Sequence, residues 1–194
     1  MRVTTLLTIV LLCLAPGGAS AQGKPPARVN PDAAVSAQFD QHVADYMKLR
    51  QKAERGLSVP KGSESPDKIA QYQRDLAERI RSARSPAKEG DIFTAQIAAL
   101  FRKLITNSIN GPDGAKIRTS YERAEPIRGV HLAVDQTYPD GLPLQSMPPS
   151  LLLNLPRLPK ELEYRFVDHE LVLRDIAANL VVDLIPDLTT PARQ

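Results

Sequence analysis

The sequence predicts an α+β fold in one domain: three main helices and a shorter fourth, packed on a small C-terminal antiparallel meander. Three observations lead there. Apolar residues recur at helical spacing in three blocks between residues 31 and 110. Residues 163–185 switch to short β-rich runs divided by turn residues. Helices followed by strands, without βαβ alternation, favour a segregated arrangement over a doubly wound sheet.

In the first helix Asn30 stands as cap before Pro31, and Val35, Phe39, Val43, Tyr46 and Met47 mark the apolar face. Gly56 is a natural stop, and residues 57–65 form a loop. The second helix opens with Ser65 and Pro66, and its narrow stripe is Ile69, Tyr72, Leu76, Ile80 and Ala83. Arg74, Arg79, Arg81 and Arg84 surround that stripe and read as a solvated face with local ion pairs. Asp91 is the expected cap of the third helix, whose wide face (Ile92, Phe93, Ile97, Leu100, Phe101, Leu104, Ile105) suits the centre of the core. Residues 110–114 make a turn, and a short helix with Ile117 and Tyr121 follows. The helical part thus runs 31–125. With no Trp and few aromatics, the core should be mainly aliphatic.

Residues 126–187 hold the rest of the domain. Val130, Leu132 and Val134 alternate with polar neighbours and predict a strand that could join the sheet. Pro139, Pro143, Pro148, Pro149, Pro156 and Pro159 make the next stretch an extended arm, with one helical turn at 149–153 and leucines that should lay it on the body. A two-residue turn at Asp168-His169 pairs Phe166 with Leu171, Tyr164 with Leu173 and Glu163 with Arg174. A four-residue connection at 176–179 then pairs Leu173 with Val182 and Leu171 with Leu184. Parity puts Tyr164, Phe166, Leu171, Leu173, Leu180, Val182 and Leu184 toward the helices. Arg165, Val167, Val172, Arg174, Val181, Asp183 and Ile185 fall on the outer face. Pro186 ends the last strand, and residues 188–194 form a tail.

The N-terminus predicts export. Arg2, the apolar run Val3–Leu14 and Ala19-Ser20-Ala21 have the order of a cleavable signal peptide over residues 1–21. Residues 22–30 then form a disordered leader. Cys13 is the single cysteine and lies within the export segment, so the remainder can form neither a disulfide nor a Cys metal site. The formal charge of +3, part of it from Arg2, implies no nucleic-acid partner. No later run of eighteen apolar residues predicts a membrane span.

Catalytic patterns are missing. His42, His131 and His169 have no metal-ligand spacing, and the oxygen-rich turns at 113–114 and 135–141 lack the EF-hand pattern, so no metal or cofactor is expected. Gly-x-Ser-x-Gly is absent, and the Ser58–Lys61 and Ser85–Lys88 spacings are interrupted by proline in loops. Asp183 among Arg165 and Arg174 suits an ion-pair ladder better than a general acid.

The runs Leu-Pro-Lys-Glu-Leu-Glu-Tyr-Arg-Phe-Val (158–167), Leu-Val-Leu-Arg-Asp (171–175) and Ala-Asn-Leu-Val-Val-Asp-Leu-Ile-Pro (178–186) resemble the C-terminal segment of a group of uncharacterised secreted bacterial proteins. The resemblance covers about thirty residues, implies a bacterial exported protein, and brings no activity or site. The sequence reading is therefore an exported, non-catalytic interaction or accessory protein of the cell envelope, placed in the periplasm with the extracellular medium as the alternative. Its partner-facing patch is Arg165, Arg174 and Asp183 on the sheet and Leu151 on the arm, and its partner an envelope protein. The alternatives are a small envelope hydrolase with a dispersed active site and a carrier of a small apolar ligand.

Overall fold

The computed structural model describes residues 30–61, 65–123, 130–139 and 147–188; of the side chains at 120–123 nothing further is stated. The expected signal peptide and leader up to residue 29, arm residues 140–146 and the tail from 189 lie outside the described residues.

The expected α+β architecture is present. Helices α1 (Pro31–Glu54), α2 (Pro66–Arg84), α3 (Ala95–Asn110), α4 (Gly114–Arg123) and the single turn α5 (Pro149–Leu152) precede strands β1 (Leu162–Val167), β2 (Glu170–Asp175) and β3 (Leu180–Ile185). The strands form an antiparallel sheet in the order β1-β2-β3. Asn30 caps α1 by accepting from the Asp32 N–H at 3.1 Å, and Gly56 takes φ 77° just past its end, where an L side chain would be strained.

The main core joins α1, α2, α3 and the inner sheet face. Its centre is more aromatic than composition suggested. Phe39, Phe93 and Phe101, three of the four phenylalanines, pack on one another, and Phe39 and Phe101 also meet Tyr164, with ring centroids 5.0–6.5 Å apart. On α2 the buried set is Tyr72, Leu76, Ala77 and Ile80; Ile69 and Ala83 lie outside it. On the arm, Met147, Leu151 and Leu155 are buried in the same core, so this part lies on the body as expected.

The β1–β2 register matches the expected pairs, including Glu163 opposite Arg174. Asp168 takes φ 53°, the positive value that a II′ turn requires at its first central position. The β2–β3 register differs. Leu173 faces Asp183 and Arg174 faces Val181, leaving Val182 as the extra residue of a β-bulge. Beyond the bulge every β3 side chain changes face. Ile185 joins the main core and Leu184 the outer one, the reverse of the parity expectation.

The third helix also differs. It begins at Ala95 with Thr94 in the cap position, while Asp91 instead accepts from the Lys88 N–H. Residues 130–134 form no strand; the backbone turns at Asp135, with φ 63°. The following residues run beside β3 instead, bonded from Asp135 N to Val181 O, Val181 N to Gln136 O and Tyr138 N to Asn179 O. This strap places Leu132 and Tyr138 over Val167, Val172, Val181 and Leu184, so the outer sheet face is a second small core rather than a solvated surface.

Candidate functional site

The four residues singled out by the sequence do not form one exposed patch. Asp183 is fully buried. The bulge turns its side chain inward, where Oδ1 accepts from Gly90 N (3.0 Å) and Leu184 N (2.9 Å), and Oδ2 from Ile92 N and Phe93 N (both 2.7 Å). A carboxylate with four backbone donors fixes the 88–93 loop and explains why α3 starts late. Leu151 is likewise buried, in the main core. Burial removes both from any partner-facing surface.

Arg165 and Arg174 remain on the outer side, half-buried and committed to neighbours. Both donate to Glu163, at 2.5 and 2.6 Å. Arg174 also donates to Asn179 Oδ1 and lies 4.9 Å from the centre of the Tyr138 ring. Burial pushes the Glu163 carboxyl up, but hydrogen bonds from the two guanidiniums outweigh it and hold it below the usual carboxylate range.

Sequence reasoning also missed two buried charge assemblies. The fully buried Asp175 accepts from Tyr46 Oη (2.9 Å), Arg50 Nε (2.8 Å) and Ala178 N (2.9 Å). Arg50 also pairs with Glu54, which accepts from Tyr72 Oη, so the chain of contacts ties β2 to α1 and α2. Burial and the Glu54 hydrogen bond push the Tyr72 hydroxyl up to about 12. Arg50 at heptad-like spacing from Val43 and Tyr46 was the available signal: a charge on an apolar face needs a buried partner.

The α2 arginines form the second assembly. Arg79 donates to the carbonyls of Ala53 and Arg55 at the end of α1. Arg81 donates to Asp135 O and Thr137 Oγ1, and Arg84 to Asp135 Oδ1 and to the Val182 carbonyl at the bulge. Of the basic face expected to be solvated, Arg81 and Arg84 dock the strap, while Arg74 stays exposed beside Gln71 of the same helix.

The histidines do not converge. His42 Nδ1 lies 3.1 Å from the Ile92 carbonyl, His131 is exposed on the strap, 4.0 Å from Glu170, and His169 sits in the hairpin turn, 3.4 Å from Asp168. Among the described residues no group of three His, Cys, Asp or Glu is placed to hold a metal ion. No helix among them is long and apolar enough to cross a membrane.

Among the described residues, three open grooves can be followed on the surface. One of about 340 Å³ lies between α3, α4 and α5, lined by Asn107, Ser108, Asp113 and Asn154. A second of about 680 Å³ runs along the polar side of α2 to Thr137 and Asn179. The third, of about 460 Å³, lies between the arm and β1. Met147, Leu152, Pro156 and Leu158 form its apolar wall, and Arg157, Glu163, Tyr164 and Arg165 complete it. Leu152 and Leu153 at the end of α5 are 43% and 82% exposed, and Arg157 has no acceptor within hydrogen-bond distance among the described residues. This groove is the place where apolar surface, an uncommitted cation and a sheet edge meet. No family model, curated protein or solved structure matches the chain.

Proposed function

We propose that the chain is an exported, non-catalytic interaction protein of the bacterial cell envelope, acting in the periplasm. The observation that carries the reading is how the charged groups are used. The buried carboxylates Asp175 and Asp183 are filled by backbone amides, a guanidinium and a phenol, and so serve the fold. Exposed leucines and the uncommitted Arg157 gather instead at the arm, the composition of a partner-binding surface. Export is supported by the order of charge, apolar run and small residues over 2–21.

The test is capture from the envelope of the producing cell with residues 22–194 as bait, against a Leu153→Asp/Arg157→Glu variant. Both positions are exposed, so the variant should melt as the wild type does. A partner held by the wild type and lost with the variant supports the reading. No specific partner, or full-length uncleaved protein in the cytoplasm, would overturn it and move ligand and hydrolase screening forward.

A further inference from the structure

We infer that the groove between the arm and β1 takes an extended, acidic segment of a partner polypeptide, laid along the outer edge of β1 at Tyr164. The inference rests on the interaction reading above and names the chemistry of the partner. Three features meet there. First, β1 lies at the end of the sheet, with no strand beyond it among the described residues. The two-residue turn makes Val167–Glu170 the closing hydrogen-bonded pair, and alternation along the ladder turns the N–H and C=O of Tyr164 away from β2. A polypeptide can use both groups; a lipid surface or a small apolar ligand cannot.

Second, the wall formed by Met147, Leu152, Pro156 and Leu158 runs beside that edge and can receive alternate side chains of an added strand. Third, the charge is one-sided. Arg157, on the groove wall, is exposed and has no acceptor within hydrogen-bond distance among the described residues, whereas Glu163 is already held by Arg165 and Arg174. An acidic side chain on the incoming strand supplies the missing partner, and a basic one is repelled.

A randomised nine-residue peptide library displayed on phage, selected on residues 22–194, tests this. The expected sequences place Asp or Glu next to Leu, Ile or Val in alternation. The best peptide should bind about tenfold more weakly to Arg157→Glu, the size of one lost charge-assisted hydrogen bond. It should also bind more weakly to Leu152→Asp, and should slow amide exchange at Tyr164. Basic or unrelated sequences, binding indifferent to both variants, or an unchanged Tyr164 amide would overturn the inference. So would groove-dependent binding to phosphatidylglycerol vesicles in place of peptide, or concentration-dependent self-association lost in Arg157→Glu. An envelope partner still captured by Arg157→Glu would remove this inference and leave the interaction reading standing.

Discussion

Replacing Asp183 with alanine should bring the protein close to unfolding. The side chain is fully buried and accepts four backbone N–H groups, three of them from the 88–93 loop. Ile92, Phe93 and Leu184 are buried themselves, so their amides cannot turn to water, while Gly90 is partly exposed and can. Three orphaned buried donors at about 1–3 kcal/mol each give a loss of about 6 kcal/mol. A domain of this kind is stable by about 5–15 kcal/mol, so most of the margin can go. Asp183→Asn keeps one acceptor oxygen for Ile92 and Phe93 but sets an NH₂ group against the Gly90 and Leu184 donors; about 3 kcal/mol should be lost. Urea unfolding followed by circular dichroism gives both values, and amide exchange at Gly90, Ile92 and Phe93 locates the effect. An alanine variant within about 1 kcal/mol of wild type, with those amides still protected, would refute the account of the bulge.

Other perturbations test the remaining assemblies. Asp175→Ala leaves Arg50 buried without its main partner and should cost about 3–5 kcal/mol; Arg50→Met/Asp175→Leu should recover much of it, as read by denaturant midpoints. Arg84→Ala removes contacts to Asp135, Val182 and the Tyr46 ring and should cost about 2 kcal/mol, with proteolytic cleavage appearing first in the strap. Glu163 has its folded-state pKa below the ordinary 4.5, so its stabilising contribution is complete above that pH and is lost as pH falls through the folded value. Glu163→Gln should therefore lower Tm at pH 7 by the equivalent of about 1–2 kcal/mol and flatten the acid limb of Tm against pH. Glu170 is the opposite case: burial raises its pKa, so its ionisation costs stability as pH rises through that window. Glu170→Gln should stabilise the protein more at pH 7 than at pH 3, by thermal melting.

Much of the fold was legible because local and pairwise signals agreed. Asn30-Pro31 and Ser65-Pro66 marked helix starts, and a two-residue turn with one opposite-charge pair set the β1–β2 register. The β3 register was not legible because both residues after Asp183 are apolar. Leu184 and Ile185 satisfy either face, so parity cannot detect the extra residue. Only a polar residue at the bulge distinguishes the registers, and its partners are some ninety positions earlier in the chain. The same separation hid the true start of α3. Asp91 looks like a cap, yet the amides ahead of the helix answer to Asp183. Arg81 and Arg84 read as solvated because two of their acceptors are backbone carbonyls, which carry no sequence signature, and the other two, Thr137 Oγ1 and Asp135 Oδ1, lie more than fifty positions on.

These long-range contacts also narrow the choice of surface. The β3 edge is closed by the strap and by Arg84 on the Val182 carbonyl. The hairpin end is tied by Leu188 N to His169 O. The β1 edge is managed differently, by charge: Glu163 and Arg165 stand on the strand itself, with Arg174 opposite. Charged edge residues discourage indiscriminate pairing with other strands, because a neutral apolar strand would bury them unpaired. They do not discourage a strand that brings its own carboxylate to Arg157. An edge defended this way rejects most sequences and admits a narrow class. A covering residue placed on that edge, such as Tyr164→Pro, would disturb the core as well as the edge, since the Tyr164 ring packs on Phe101. Arg157→Glu leaves the core untouched and reverses the admitted charge, so it separates recognition from folding.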